Sequence, residues 1–212
     1  MRSGYFITFE GGEGAGKSTQ IARLAERMRA LGHEVVLTRE PGGSPGAEAL
    51  RALLVSGETD RWSALAETLI MNAARTDHLE RLIRPALARR ALVLCDRFAD
   101  STRAYQGAGG GVGQPFIAAV EHAVLGQTTP DLTLILDLPV ETGLDRARGR
   151  GGAEARFEAK GEAFHQRLRE RYLAIAASEP QRCVVIDADR PAEVMEADIA
   201  AVVTARMGQE KA

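Results

Sequence analysis

Apolar residues collect in five short runs, at 5–9, 34–38, 91–95, 132–138 and 183–186. Each is of strand length and most are rich in Val, Ile or Leu. Runs without polar alternation predict strands covered on both faces, as in a parallel sheet. Between them, apolar positions recur at three- and four-residue spacing, which predicts helices over 18–31, 63–90, 114–125, 156–177 and, after Pro191, 192–206. The alternation predicts an α/β protein: a three-layer α/β/α fold around a five-stranded parallel sheet. Two glycine clusters break the rhythm, GAGGGVG at 107–113 and GRGG at 149–152. Such loops either move or lie against a ligand. With no repeat and no linker separating two cores, residues 1–212 read as one domain.

Composition narrows the class of partner. The 27 Lys and Arg nearly balance the 29 Asp and Glu, which argues against a protein that coats nucleic acid through a strongly basic face. No apolar stretch approaches the roughly 20 residues that span a bilayer, so no membrane partner is expected. Cys95 and Cys183 lie inside apolar runs and read as buried thiols of a reducing compartment. A cytoplasmic location is expected, since the N-terminal residues lack a signal-peptide cleavage pattern.

The first strand runs into GGEGAGKST, which places Gly11, Gly16, Lys17 and Ser18 on the GxxxxGK[ST] spacing between a strand and a helix. The glycines let backbone N–H groups turn around phosphate oxygens, and the helix offers its positive end. Lys17 reaches the β- and γ-phosphates, and Ser18 can ligate Mg²⁺. The whole loop, Gly11, Gly12, Glu13, Gly14, Ala15, Gly16, Lys17, Ser18 and Thr19, is therefore the expected ATP site. GTPases and transporter ATPases share this loop, but neither an NKxD base-reading segment nor a serine-glycine-glycine-glutamine signature occurs. A small-molecule kinase remains favoured. It needs a carboxylate for the metal, a second anion site and cations for the transferring phosphoryl group.

Candidates stand at the ends of the predicted strands. Arg39 closes the second, in TREPGGS; Asp96 and Arg97 close the third, in CDRF. Open α/β sheets bind ligands at that edge. Asp96 is placed to hold Mg²⁺ directly or through water, and the two guanidinium forks suit a phosphate. Arg146, Arg148, Arg150 and Arg156, interrupted by glycines and opposed by Glu154, suit a closing lid over about 147–157. Of these, Arg156 is the candidate for the transferring phosphoryl group. The histidines, His33, His78, His122 and His165, are scattered and none is assigned a catalytic role.

These strings together resemble the thymidylate kinase family: FEGGEGAGKST, TREPGG, the arginine of NAAR, CDRF followed by STRAYQG, TPDLTLILDL, and RFEAKGEAFHQRLRERY. The resemblance covers essentially the whole chain. It implies transfer of a phosphoryl group from Mg-ATP to dTMP, with Lys17, Arg97 and Arg156 catalytic. It implies that Arg39 and Arg97 grip the dTMP phosphate and that Arg75 hydrogen-bonds the thymine edge. Ser101 and Thr102 would lie near the base, Tyr105 under the sugar with Gln106 after it, and Glu13 and Glu158 near the acceptor. Segment 187–191 would pack beside adenine. The P-loop has Glu13-Gly14-Ala15-Gly16 and no arginine, which implies the lid-arginine type. Members commonly carry a phenylalanine that stacks on thymine four residues before the base-reading arginine; this chain has Met71 there. A homodimer formed through helices is also implied. Two rivals stay open: a kinase for another nucleoside monophosphate such as dUMP or dCMP, and a nucleotide-binding regulator that closes on ATP without useful turnover.

Overall fold

A computed structural model describes residues 4–58, 61–148 and 160–209. The five expected strands form: β1 (Tyr5–Gly11), β2 (Val35–Arg39), β3 (Leu92–Asp96), β4 (Leu132–Asp137) and β5 (Cys183–Asp187). All pair in parallel in the order β2-β3-β1-β4-β5. The register sets Phe9 and Arg39 on either side of Asp96, so the third strand's carboxylate lies between the P-loop strand and the second strand.

The helices cover both faces. α1 (Lys17–Ala30) buries Ile21, Leu24, Ala25 and Met28, a stripe at helical spacing. These pack with Ile7 and Phe9 of β1 and with Met195, Ile199 and Val203 of the C-terminal helix. On the opposite face Phe6 packs against Leu79, Ile83, Leu87 and Phe98. Burial on both faces holds for β1, β3 and β4. It fails for the sheet edges, where Leu37 of β2 and Val185 of β5 are exposed, because an edge strand has a neighbour on only one side.

Two helices escaped the apolar pattern. α2 (Pro45–Val55) starts directly after PGGS, with Ser44 at its N-cap and Pro45 in its first turn; that glycine- and proline-rich lead-in reads as a turn. A second, Val140–Arg148, is short, charged and carries Gly143. The helix expected over 63–90 is three pieces: α3 (Ala64–His78), a π-helical turn over Leu79–Ile83, and α4 (Arg84–Ala88). The wide turn ends next to Pro85, whose missing N–H and ring disfavour the regular ladder. α5 (Ala99–Thr102) continues into a π-helical turn over Arg103–Gly109, then α6 (Gln114–Leu125). Val140–Arg148 is α7, followed by α8 (Glu162–Ser178) and α9 (Ala192–Gln209). α8 begins six residues later than expected, with Gly161 at its N-cap.

The first glycine cluster is therefore partly helical, not a free loop. A Cβ on Gly109 would come within 2.4 Å of the Phe164 ring of α8, and one on Gly107 within 2.5 Å of Gln114. Glycine there permits close packing of the turn. The GRGG cluster, most of the expected lid with Arg150, Glu154 and Arg156, and the expected acceptor-side Glu158 lie outside the described residues.

Candidate active site

The P-loop follows from strand, glycine and helix acting in sequence. Gly11, Gly14 and Gly16 all have positive φ, at 130°, 72° and 85°, values that L side chains rarely adopt. At Gly14 space is also decisive, since a Cβ would stand 2.1 Å from the Gly143 carbonyl of α7. The first turn of α1 has no side-chain cap, which leaves its N–H groups for an anion. Lys17 arches over the loop and donates to the carbonyls of Gly11 (3.2 Å) and Gly12 (2.8 Å).

Ser18 and Asp96, expected as metal partners from sequence positions 78 apart, meet: the Ser18 hydroxyl donates to Asp96 Oδ2 at 2.8 Å. Both are hard oxygen donors. Among the described residues there is no cluster of three or more His, Cys, Asp or Glu that could hold an ion. One hydroxyl and one carboxylate fit Mg²⁺, which keeps water and takes phosphate oxygens to complete its shell. They do not fit an ion held by protein alone.

Beside the P-loop lies a cleft of about 460 Å³, its open mouth included, within the usual span for small ligands. Its walls join Glu13 of the loop, Met71 and Arg75 of α3, Arg97, Ser101 and Thr102, Tyr105 and Gln106 of the π-helical turn, and Glu40, Pro41, Val55 and Phe98. Eight of the expected acceptor residues thus converge, from the P-loop, α3 and the stretch from Arg97 to Gln106. Arg97 is nearly buried. Its guanidinium donates to the Gly11 carbonyl (3.1 Å) and to Glu13 (2.8 Å) and lies 5.0 Å from the Tyr105 ring centroid. Tyr105 donates its hydroxyl to Glu13 at 2.5 Å. Burial by itself would raise the Glu13 carboxyl, but the charges of Arg97 and Lys17 and the Tyr105 hydroxyl outweigh it and hold it down at about 2. Burial pushes the Tyr105 phenol well above its usual range, so it remains a donor.

Arg75 is buried at 2% exposure. It donates to Glu40 (2.7 Å), Asn72 (3.2 Å), the Phe98 carbonyl (3.1 Å) and Thr102 (3.0 Å). Glu40 also faces His78 Nδ1 at 3.0 Å, and His78 Nε2 faces Thr38 at 2.7 Å. This locks the arginine to α3 and to the loop after β2. Gln106 donates to Glu67 at 2.8 Å, while its buried Oε1 has no hydrogen-bond partner among the described residues.

Arg39 does not join these walls. Its guanidinium is half-exposed and paired with Glu48 of α2 through both carboxylate oxygens, at 3.0 and 3.1 Å. The same carboxylate accepts the Gly43 N–H. Arg146 likewise leaves the expected lid set: it donates to the Ala188 carbonyl at 3.1 Å, in the segment expected beside adenine.

Three buried groups of the site lie inside the quoted strings, yet the sequence reading gave none of them a role. Glu40 sits one residue past the arginine that the phosphate argument singled out. His165, expected to be idle, is buried on the β4 side of the P-loop, its Nε2 without a partner among the described residues. Glu10, near the end of β1, is buried beneath the Arg97 loop; its signals were its place in FEGGEGAGKST and a charged letter ending an apolar strand. Burial, with the nearby Asp100 charge, raises its carboxyl to about 7.

Comparison with known proteins points to one family. A family profile described as thymidylate kinase matches residues 9–199. Thymidylate kinase of Caulobacter vibrioides is 67% identical over 208 residues, covering 98% of this chain and all of that protein. That of Nitrobacter winogradskyi is 57% identical over 198 residues, covering 92% of this chain and 86% of the relative. The solved structure of thymidylate kinase from Ehrlichia chaffeensis superposes with a TM-score of 0.77 at 33% identity, over 95% of this chain and 99% of that one. With a P-loop, a strand-end Asp-Arg pair and an adjoining cleft in one connected site, and with likeness along nearly its full length, the chain belongs to the thymidylate kinase family.

Proposed function

We propose that the protein transfers the γ-phosphoryl group of ATP to dTMP, giving ADP and dTDP. The observation that carries this reading is the cleft itself, which joins Arg97 at the P-loop to a base-sized wall of Met71, Arg75 and Gln106. The unpartnered Gln106 carbonyl suits the N3–H of thymine or uracil and opposes the N3 lone pair of cytosine. Arg75, with four of its five N–H groups engaged, has one on Nη1 for a ring carbonyl. Tyr105 fills the floor between base and phosphate, where a sugar would lie.

In this reading the P-loop N–H groups and Lys17 hold the donor phosphates, and Arg97 grips the acceptor phosphate. Glu13 acts through Arg97 and Tyr105, keeping both oriented as an ionised acceptor of their hydrogen bonds. Ser18 and Asp96 would hold Mg²⁺, which would neutralise charge on the β- and γ-phosphates. No general base is required, because a monophosphate is already an anionic nucleophile. We assign Arg156 to closure over the phosphates and Arg39, through release from Glu48, to the acceptor phosphate; Glu158 is assigned to the acceptor side. A single domain, a cytoplasmic location and a homodimer complete the proposal. Buried free thiols at Cys95 and Cys183 fit a reducing compartment. Among the described residues no helix is long and apolar enough to cross a membrane.

ADP release with Mg-ATP and, in parallel, dTMP, dUMP, dCMP, dGMP, AMP or no acceptor tests the reading. Strong release with dTMP, weaker with dUMP and negligible without acceptor is expected. Release independent of acceptor, or none, would favour an ATPase or a binding regulator. In the same assay Arg156→Ala is expected to lose about 10³- to 10⁵-fold in turnover; unchanged turnover would remove Arg156 from the chemistry.

A further inference from the structure

Glu10 is the last side chain of β1 before the P-loop glycines. Strand alternation puts it on the same face as Phe6 and Thr8, away from the α1 side and towards α5 and α8. It is fully buried. Its Oε1 accepts the N–H of Phe98 (2.8 Å) and of Ser101 (3.3 Å), and its Oε2 accepts the Ser101 hydroxyl (2.6 Å) and the Tyr172 hydroxyl (3.2 Å).

The backbone donors are Phe98, the residue directly after Arg97, and Ser101, four residues on in α5. Arg97 has a φ of 66°, a conformation that a non-glycine residue keeps only where its surroundings hold it. Both of its flanks are held by β1: its own N–H donates to the Phe9 carbonyl at 2.9 Å, and the next N–H, of Phe98, donates to Glu10. The guanidinium then falls between the Gly11 carbonyl and Glu13.

We infer that Glu10 is a positioning residue for the acceptor phosphate: by clamping the backbone after Arg97 to the strand that feeds the P-loop, it sets the direction of the Arg97 guanidinium relative to the phosphate cradle. The inference rests on the assignment of Arg97 to the dTMP phosphate. The carboxylate suits the task because each oxygen receives two donors. A carboxamide keeps the backbone pair on its oxygen and can donate from nitrogen to the two hydroxyls, which turn to accept. A methyl group keeps neither.

The test compares Glu10→Ala, Glu10→Gln, Arg97→Ala and the Glu10→Ala/Arg97→Ala double variant, reading kcat and both KM values. Glu10→Ala is expected to raise the KM for dTMP tenfold or more with the KM for ATP within twofold. Glu10→Gln is expected to restore it to within threefold of the wild type. In the Arg97→Ala background, Glu10→Ala is expected to cost less than a further threefold in kcat/KM, because the residue it positions is gone. A parallel rise in both KM values, no rescue by glutamine, or full additivity in the double variant would overturn the inference. Should the alanine chain fail to fold, Glu10→Asp, one methylene shorter, is read in the same way. If Arg97→Ala shifts the dTMP KM and Glu10→Ala does not, the inference falls and the Arg97 assignment stands. If Arg97→Ala leaves that KM unchanged, both fall.

Discussion

Met71 is the residue through which this site departs from the pattern its family resemblance implies. It lies on α3 one turn before Arg75, lines the acceptor cleft and packs against the cluster of Tyr105, Phe164 and Tyr172. A thioether can lie against an aromatic base, with sulfur contacts worth roughly 0.3–1.5 kcal/mol, but it is flexible and must be ordered when the base arrives. A phenyl ring would offer a flat, stiffer surface. Met71→Phe is therefore expected to lower the KM for dTMP several-fold with kcat nearly unchanged in steady-state assays; an unchanged or raised KM would show that Met71 is not the base platform. Arg75 and Arg39 show how differently one side chain is used a short distance apart. Arg75 is sealed into an ion pair with Glu40, both partners almost without solvent contact, whereas Arg39 stays half-exposed beside Glu48. Removing one member of a buried pair leaves an uncompensated charge, while an exposed pair contributes little and is readily exchanged for another anion.

Elements act here mainly by where they end and which face they leave uncovered. α5 and its π-helical turn bring Ser101, Thr102, Tyr105 and Gln106 to the cleft. They are anchored from behind by Asp100, which accepts from Arg182 at 2.7 and 3.1 Å and from Arg103 at 3.2 Å. Arg103 in turn donates to Glu121 of α6 and Glu179. Gly109 lets α8 approach that turn, with Phe164 edge-on to Tyr105 at 6.0 Å. α3 buries Arg75 and Glu67 on its inner face yet exposes Leu65 and Leu69, which are four residues apart and share its outer face. Phe116 of α6 and Leu53 of α2, on helices flanking α3, are also exposed. Apolar surface grouped on one helix face fits association with a second copy. Sedimentation is expected to give twice the chain mass for the wild type and the single-chain mass for a folded Leu69→Glu variant. A wild type that sediments as one chain would remove the proposed dimer.

At the scale of the whole molecule, two buried carboxylates close together in the chain pull stability in opposite directions with pH. Glu13, held at about 2 by Arg97 and Lys17 against the cost of burial, contributes stability that is present above the ordinary carboxylate value of 4.5 and lost as pH falls towards 2. Glu10, raised to about 7 by burial, contributes stability that is complete below 4.5 and lost as pH rises through 7. The difference in Tm between wild type and Glu10→Gln should therefore move against the wild type between pH 4.5 and 8. A difference flat across that window would exclude a raised Glu10. Much of the molecule was legible before any fold was known. The five strands, the P-loop and the Asp96-Arg97 pair follow from contiguous residues, because buried strands need unbroken apolar runs and a phosphate cradle needs glycines at fixed spacing. The helix from Gln114 to Leu125 was readable to its ends for the same local reason. The family strings added the cleft residues Arg75, Thr102 and Tyr105. Helix α2 and the wide turns were not legible, since a cap beside PGGS looks like a turn and a π-helical bulge carries the same apolar spacing as the helix around it. Nor were the contacts of Glu10 and Glu40, although both stand in the quoted strings. Glu10 meets Tyr172 across 162 positions and Glu40 meets Arg75 across 35, separations over which sequence spacing says nothing. Local chain chemistry determined what the phosphate loop is made of; strand order and register decided which arginine is buried, which stays exposed, and which carboxylate holds Arg97 in place.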